Sequence, residues 1–276
     1  MIESLAKNLV ELKREFAKTY SGTSHIQEVI PSSQSELFPV NAEHLKLLHL
    51  FASANPIYYN SYEEKIGKTV CIVYEGDINK FWLNSIQHGS SHAPFSPTWI
   101  FSAYVATLLA QEIGVKEAID IGSGDGRIAY CAKILGLNSY SIEIDNLLVD
   151  LQKTISTSTK MDFKPNCYDA TKFDYSKLKL ENPVFFIGGL AQMGGDILAN
   201  SIINTINSIS GLGNVSMVFA GTYSKKYRPD EQSLAGWGQI IQKNKMDVIK
   251  TIYLPTVWTF REPDETPYLF AKLNSS

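Results

Sequence analysis

Hydrophobic residues follow helical spacing in the first part of the chain. In Met1–Lys18 they recur every three or four positions, which predicts an amphipathic helix. The polar segment Ser21–Gln34 follows and carries no predicted element. Two more helices are expected, at Ala42–Ala52 and Asn79–Ile86, and a strand is expected at Thr69–Tyr74. Residues 1–93 are therefore predicted to form a helix-rich N-terminal region.

From residue 94 onward, short apolar runs alternate with helical stretches. Ser96-Pro97 is typical of an N-cap followed by proline, so a helix is predicted from there to about Ile113, with Gly114 as its stop. Predicted strands are Ala118–Ile121, Tyr140–Ile144, Phe163–Tyr168, Pro183–Ile187, Val215–Ala220, Val248–Leu254 and Tyr268–Leu273. Strands that alternate with helices indicate an α/β fold, a mostly parallel sheet with helices on both faces. Residues 94–276 are predicted to be this second domain.

Composition narrows the class of protein. Of 276 residues, 44% are hydrophobic and 19% charged, as in ordinary globular proteins, and the net charge of −3 gives no global attraction for nucleic acid or anionic lipid. The three cysteines are widely spaced, so neither a zinc site nor a disulfide framework is expected. No apolar run reaches the roughly 18 to 20 residues of a membrane span. We expect a cytoplasmic protein with no membrane partner.

A glycine-rich run is the main candidate for chemistry. Asp120-Ile-Gly-Ser-Gly-Asp-Gly-Arg127 lies between a predicted strand and a predicted helix. Glycines there permit a tight turn and close approach of a ligand to the backbone. The spacing is G-x-G-x-G rather than the dinucleotide pattern G-x-G-x-x-G, which disfavours an NAD-dependent oxidoreductase. For Asp120, contact with a ligand amine and hydrogen bonds to loop N–H groups are equally compatible with the sequence.

Acidic residues at the ends of the next two strands extend this pattern. Glu143 ends the second strand about twenty residues after the loop, where a carboxylate can accept hydrogen bonds from both ribose hydroxyls. Asp145 is expected to cap the following helix. Asp169, at the end of the third strand, can accept a hydrogen bond from an exocyclic amine such as that of adenine. Asp125 and Arg127 are interpreted as exposed helix-start charges or as ligand contacts.

Together these residues resemble the class I S-adenosylmethionine-dependent methyltransferases over roughly residues 94–276. The loop resembles the family's first motif, Glu143 its ribose-binding acid, and Asp169-Ala170 its adenine-binding pair. The resemblance implies a Rossmann-like seven-stranded sheet with strand order 3-2-1-4-5-7-6. It also implies S-adenosylmethionine as cofactor. The cofactor-binding residues it implies are Asp120, Gly122, Ser123, Gly124, Gly126, Glu143, Asp169, Ala170 and Gly188.

The methyl acceptor is less well defined by the sequence. The extended motif and Phe95-Ser96-Pro97-Thr98 resemble the small protein-lysine methyltransferases, so a protein lysine amine is the leading acceptor. The fourth strand ends without Asp-Pro-Pro-Tyr or Asn-Pro-Pro-Tyr, which disfavours amino-methylation of adenine or cytosine. The alternative acceptors are a small molecule and RNA. A different alternative is that the protein is a non-catalytic partner subunit that binds the cofactor. Candidate acceptor contacts are Phe95, Trp99, Gln192 and Tyr223.

Two further clusters have simpler interpretations. His88 and His92 lie four residues apart in a Gly-Ser loop without an evident third ligand, so solvated histidines are favoured over a metal site. The segment Tyr223–Arg228 is aromatic and basic and can bind an acidic peptide or nucleic acid, but a solvated loop is favoured. Trp99 also fits a core position on its apolar helix, and Cys131 and Cys167 are expected to be buried.

Overall fold

The structure is a computed structural model of the chain. It describes residues 1–83, 94–188, 194–209, 211–221, 236–257 and 265–274, without the side chains of residues 82 and 83.

A seven-stranded mixed sheet forms the larger part of the protein. Its strands are β4 (Glu117–Ile121), β5 (Asn138–Glu143), β6 (Pro165–Cys167), β7 (Pro183–Ile187), β8 (Ser216–Ala220), β9 (Met246–Pro255) and β10 (Glu265–Leu273). They lie in the order β6-β5-β4-β7-β8-β10-β9. Within the sheet this is the order 3-2-1-4-5-7-6, so the predicted fold class and strand order are confirmed. The first five strands are parallel and β10 is antiparallel to both of its neighbours.

Helices cover both faces of this sheet. They are α4 (Ile100–Glu112), α5 (Arg127–Ile134), α6 (Asn146–Thr159), α7 (Gly195–Asn207) and α8 (Gly238–Lys243). Asp145 caps α6 by accepting the Leu147 N–H at 2.8 Å, as predicted. The predicted start of α4 at Ser96-Pro97 is wrong, because Trp99 is extended with ψ of 142° and the helix begins at Ile100.

The N-terminal region contains the predicted helices together with a small antiparallel sheet. The helices are α1 (Ile2–Thr19), α2 (Ala42–Ala54) and α3 (Asn79–Leu83); the strands are β1 (Ile26–Pro31), β2 (Tyr58–Ile66) and β3 (Thr69–Gly76), in the order β1-β3-β2. Only β3 was expected. The polar segment Ser21–Gln34, for which the sequence predicts no element, contains β1, and all six residues of this strand are buried. Gln27 and Glu28 are buried in spite of their polarity because their side chains have partners: Gln27 donates to the carbonyl of nearby Ser24, and Glu28 accepts the N–H of Ile100.

The N-terminal region packs on one side of the large sheet. Its helix α2 contacts α4, α5 and α6, while α1 contacts α4 and β9. One hydrophobic cluster contains residues from both sides of residue 93, such as Leu9, Val73 and Tyr130. A second cluster fills the opposite face of the sheet under α7 and α8. The two regions thus share a core, and residue 93 as a domain boundary stays a prediction.

Two properties of the described residues bear on the expectations from composition. None of the described helices is long and apolar enough to cross a membrane. Cys131 is buried as expected, whereas Cys167 is exposed, so its predicted burial is wrong. Its position as the last residue of the short strand β6, at the end of the sheet, explains that exposure.

Candidate functional site

The loop between β4 and α5 holds three glycines in left-handed backbone conformations. The φ angles of Gly122, Gly124 and Gly126 are 61°, 57° and 79°. Such angles strain any residue with a Cβ. The Gly122 N–H donates to the carbonyl of Ile142 at 2.9 Å, which fastens the loop to β5. The glycine spacing seen in the sequence is therefore required by the backbone itself.

The three glycines also differ in what surrounds them. A Cβ on Gly126 would lie 2.5 Å from Cε2 of Phe163, so this glycine permits packing of the loop against the core. A Cβ on Gly124 would lie 2.7 Å from Cε2 of Phe95. For Gly122, the described residues place no atom within 4 Å of such a Cβ. Of the three, Gly122 is the position that no other described residue approaches closely.

Gly188 borders the same crevice from the neighbouring strand. Ile121 pairs with Ile187, so Gly122 and Gly188 are the next residues at the carboxyl ends of β4 and β7. A Cβ on Gly188 would meet no described atom within 4 Å. The chain runs from β4 outward to β5 and β6 and then returns to β7 on the other side, which makes this position a topological switch point. Open α/β sheets bind ligands in such crevices.

Glu143 joins the loop to the end of β5. Its Oε2 accepts the Gly124 N–H at 2.8 Å, and its Oε1 accepts those of Ile144 and Asp145 at 2.8 and 3.0 Å. Burial raises the pKa of this carboxyl, and the three N–H groups partly offset that effect. A carboxylate offers about four acceptor sites, so three are used and about one is available to a ligand. The contact of Glu143 with ribose hydroxyls stays a prediction.

Asp120 is buried at 3% exposure directly before the loop. Its Oδ2 accepts the N–H of Ala129 at 3.3 Å, which ties β4 to the first turn of α5. Burial raises the pKa of Asp120 well above its usual range, and that bond offsets the effect only in part. The N–H that Asp120 accepts belongs to α5 and not to the loop, so hydrogen bonds to loop N–H groups and contact with a ligand amine both stay predictions.

Ser123 faces the interior of the loop. Its Oγ accepts hydrogen bonds from Ser141 at 2.6 Å and from Gln152 Nε2 at 2.9 Å. Gln152 also donates to the carbonyl of Gly124 at 2.7 Å. These contacts give the Ser123 side chain a bracing role, so any contact with a ligand would come from its backbone. Gln152 was not identified from the sequence, where it lies in an ordinary amphipathic helix.

Asp169 and Ala170 lie just beyond β6, beside Glu143. Cys167 pairs with Glu143 in the sheet, and the Tyr168 N–H donates to the Glu143 carbonyl at 2.8 Å. Asp169 is half-buried; Oδ1 accepts from Thr171 and Oδ2 pairs with Lys172 Nζ at 3.2 Å. Burial alone would raise the pKa of Asp169, but these partners outweigh it and the pKa is lowered. The structure thus brings the second and third strand ends together.

Asp125 and Arg127 are not exposed helix-start charges. Both are buried, at 1% and 4% exposure. Arg127 Nε donates to Asp125 Oδ1 at 2.8 Å, and Arg127 Nη1 donates to Glu28 Oε2 at 3.1 Å. Asn55 and Tyr58 complete the group, which we call the Arg127 cluster: Glu28, Asn55, Tyr58, Asp125 and Arg127. Sequence reasoning missed it because three of its five members come from the N-terminal region.

The candidate acceptor residues have different positions. Phe95 is buried with its ring against Gly124, close to the loop. Trp99 lies in the core, where its ring packs edge-on against Phe16 and its Nε1 donates to the Gln27 carbonyl at 3.0 Å. This agrees with the core position that the apolar sequence around Trp99 also predicts. Gln192 and Tyr223 lie outside the described residues, as do His88 and His92.

Comparison with known proteins gives similarity in fold only. No family model and no curated protein matches the sequence. Among solved structures, the chain is 12% identical to magnesium protoporphyrin IX methyltransferase from Synechocystis PCC 6803, covering 63% of this chain and 78% of that one, with a TM-score of 0.45. It is 14% identical to P. horikoshii TYW2 (78% and 72% covered, TM-score 0.46). It is 15% identical to the ribosomal protein methylase of Lactobacillus delbrueckii subsp. bulgaricus (65% and 81%, TM-score 0.44). Function therefore has to be argued from the residues of the site.

Proposed function

We propose that the protein is an S-adenosylmethionine-dependent methyltransferase whose cofactor lies in the crevice between Gly122 and Gly188. The observation that carries this proposal is that the described residues place no atom within 4 Å of a Cβ at these two glycines, while buried carboxylates lie beside them. Asp120 precedes Gly122, and Glu143 holds the loop from the next strand. Because β4, β5 and β6 are adjacent, one elongated ligand can contact the loop, Glu143 and Asp169 together.

Charge favours S-adenosylmethionine over a dinucleotide. Burial raises the pKa of Asp120 and of Glu143, so a cation brought nearby would stabilise their ionised forms. S-adenosylmethionine carries a sulfonium and an ammonium group, whereas NAD carries an anionic pyrophosphate. The basic residue of the loop, Arg127, is already engaged by Asp125 and Glu28. The loop is thus better suited to a cationic ligand than to a pyrophosphate.

The residues of the site have distinct parts in this proposal. Gly122 and Gly188 leave room for the ligand, Glu143 accepts one ribose hydroxyl, and Asp169 accepts from the adenine amine while retaining Thr171. The bound cofactor supplies an electrophilic methyl group, so the chemistry needs little acid or base from the protein. The chain has to orient the acceptor and exclude water. Phe95, packed on the loop, is the described residue best placed to form part of that apolar wall.

A protein lysine amine is the leading acceptor. Support comes from the extended loop motif and from Phe95-Ser96-Pro97-Thr98, which resemble the protein-lysine branch. A lysine amine must be neutral to attack, and an apolar wall lowers the pKa of an amine by desolvation. Trp99 is left out of this wall because it is a core residue, while Gln192 and Tyr223 are kept as candidates.

Two measurements test the proposal. Calorimetry should give micromolar binding of S-adenosylmethionine and S-adenosylhomocysteine and none of NAD; binding of NAD alone would refute the cofactor assignment. Incubation with tritiated cofactor and cell extract should then label the protein fraction, at residues that amino-acid analysis identifies as methyl-lysine. Label in RNA or in small molecules would show that the acceptor belongs to that class and is not a protein lysine. Cofactor binding without label in any fraction would indicate a non-catalytic partner subunit.

A further inference from the structure

The Arg127 cluster connects three segments of the chain around one guanidinium group. Arg127 has five N–H donors, and each has an acceptor in the structure. Nε and Nη2 donate to the two carboxylate oxygens of Asp125. Nη1 donates to Glu28 and to the carbonyl of Thr98, and Nη2 also reaches the Tyr58 hydroxyl at 3.5 Å. The glycine loop, the segment before α4 and the N-terminal region therefore meet at this side chain.

Glu28 connects the N-terminal sheet to the start of α4. It is fully buried in β1, and its Oε1 accepts the N–H of Ile100, the first residue of α4, at 2.8 Å. The residue before the helix, Trp99, makes no side-chain cap bond, so Glu28 supplies the cap from another region. Glu28 also accepts from Arg127, whose Nη1 donates to the carbonyl of Thr98 as well. One cluster therefore holds the two residues Thr98 and Ile100 on either side of Trp99.

Asp125 lies between two left-handed glycines of the loop. Besides Arg127, its carboxylate accepts a hydrogen bond from Asn55 Nδ2 of the N-terminal region at 2.9 Å. Gly124 on one side donates its N–H to Glu143, and Gly126 on the other donates its N–H to the Ser123 carbonyl at 2.8 Å. A side chain held at both carboxylate oxygens restricts the glycines on either side of it.

Stability alone is a weak reason for such a cluster. Buried ion pairs are costly to desolvate, and well-packed apolar residues in their place are often neutral or stabilising. Glycine-rich loops, in contrast, lose much conformational entropy when a ligand orders them. A loop held in its binding conformation before the ligand arrives avoids that loss and binds more tightly.

We infer that Glu28, Tyr58 and Arg127 are positioning residues, by which the N-terminal region holds the glycine loop ready for its ligand. The inference rests on the proposed function, because the ligand is taken to be S-adenosylmethionine. It assigns residues 1–83 a part in cofactor affinity that no motif within them indicates. None of these three residues has to touch the cofactor for the effect to occur.

Three conservative variants and one matched control test this role. Arg127→Lys keeps the charge but loses the planar fork, Glu28→Gln loses the charge, and Tyr58→Phe loses one hydroxyl and is expected to fold. The control is Glu117→Gln, because Glu117 is an equally buried carboxylate at the opposite end of β4. It accepts the N–H groups of Glu181 and Asn182, both at 3.0 Å, far from the loop.

Cofactor affinity and amide exchange are measured on each full-length variant. We expect the S-adenosylmethionine dissociation constant to rise about fivefold or more in Arg127→Lys and Glu28→Gln, and less in Tyr58→Phe, while Glu117→Gln matches the wild type even if its Tm falls. Without any cofactor, hydrogen exchange at the Gly124 amide should become faster in the same variants and not in the control.

The outcomes distinguish this inference from the proposed function. The positioning role would be overturned if folded Arg127→Lys and Glu28→Gln kept the affinity and the Gly124 exchange rate of the wild type. That result would leave the proposed function intact, provided that the wild-type protein binds the cofactor. Equal losses in Glu117→Gln would also overturn it, since the effect would then follow general destabilisation. If the wild type binds no S-adenosylmethionine, the proposed function fails, and the Gly124 exchange still decides whether the cluster orders the loop.

Discussion

Gly124 donates its backbone N–H to Oε2 of Glu143 at 2.8 Å. This bond joins the glycine loop after β4 to the acidic end of β5, two features that are nineteen residues apart in the chain. Glu143 is therefore both a candidate ligand group and a support of the loop that the ligand would contact.

Removing the Glu143 carboxylate should weaken cofactor binding. Glu143→Ala deletes one ribose acceptor and releases the Gly124 N–H, so we expect a loss of about 1 to 3 kcal/mol in the free energy of S-adenosylmethionine binding. Calorimetry measures it. Asp145→Ala, two residues away, removes the α6 cap and should lower the free energy of unfolding by about 1 kcal/mol with little change in affinity. Unchanged binding by Glu143→Ala would remove this residue from the site.

A side chain at Gly124 should collide with Phe95 before it meets any ligand. We expect Gly124→Val to lower the free energy of unfolding by roughly 2 kcal/mol or more, because it combines the left-handed φ with a ring contact. Urea unfolding measures the effect. In the double variant with Phe95→Ala the loss should be smaller than the sum of the single losses. Strictly additive losses would show that the collision with the Phe95 ring does not cause the destabilisation by Gly124→Val.

Stability should depend on the ionisation of Glu28. Burial raises its pKa to about 7 from an ordinary value of 4.5, although Arg127 and the Ile100 N–H pull it down. Between these values the folded protein holds a proton that the unfolded chain has released, so Glu28 makes stability fall as pH rises. We therefore compare the free energy of unfolding of the wild type with that of Glu28→Gln. The difference, wild type minus variant, should decrease from about pH 5 to pH 8. A flat or rising difference would contradict this.

Trp99 should matter for stability and not for the cofactor. Trp99→Phe leaves the buried Gln27 carbonyl without its indole donor, which should cost about 1 to 3 kcal/mol of unfolding free energy. The S-adenosylmethionine dissociation constant should stay within twofold of the wild type, since the ring faces Phe16 in the core. Loss of methyl transfer with unchanged stability would instead return Trp99 to the acceptor pocket.

The large sheet could be predicted from the sequence because its signals are local. Short apolar strands such as β4 and β7, together with glycines such as Gly114 and Gly136 that end the helices before β4 and β5, indicate parallel β/α units. Asp145 as the α6 cap is another local signal. The strand order came from the family resemblance, and the structure confirms it.

In the N-terminal sheet β3 could be predicted, whereas β1 could not, because the contacts that bury its polar residue Glu28 are not local. In β1, Glu28 resembles a surface residue, and the partners of its carboxylate, Ile100 and Arg127, come from more than seventy residues away. For the same reason Asp125 and Arg127, which follow the usual charge pattern of a helix start, gave no sign of burial. The sequence pattern around these two residues is compatible with exposure, and their burial results from contacts that form only in the folded protein.

The most direct test of the central claim is a side chain placed in the crevice itself. Gly188→Val adds a branched side chain where the described residues place no atom within 4 Å and the backbone needs no left-handed φ. Gly213→Val, equally unobstructed but at the amino end of β8, is the matched control. Calorimetry should show S-adenosylmethionine binding abolished or weakened at least about tenfold in the first variant, a loss of about 1.4 kcal/mol, and wild-type in the second. Wild-type affinity in folded Gly188→Val would contradict the placement of the cofactor between Gly122 and Gly188.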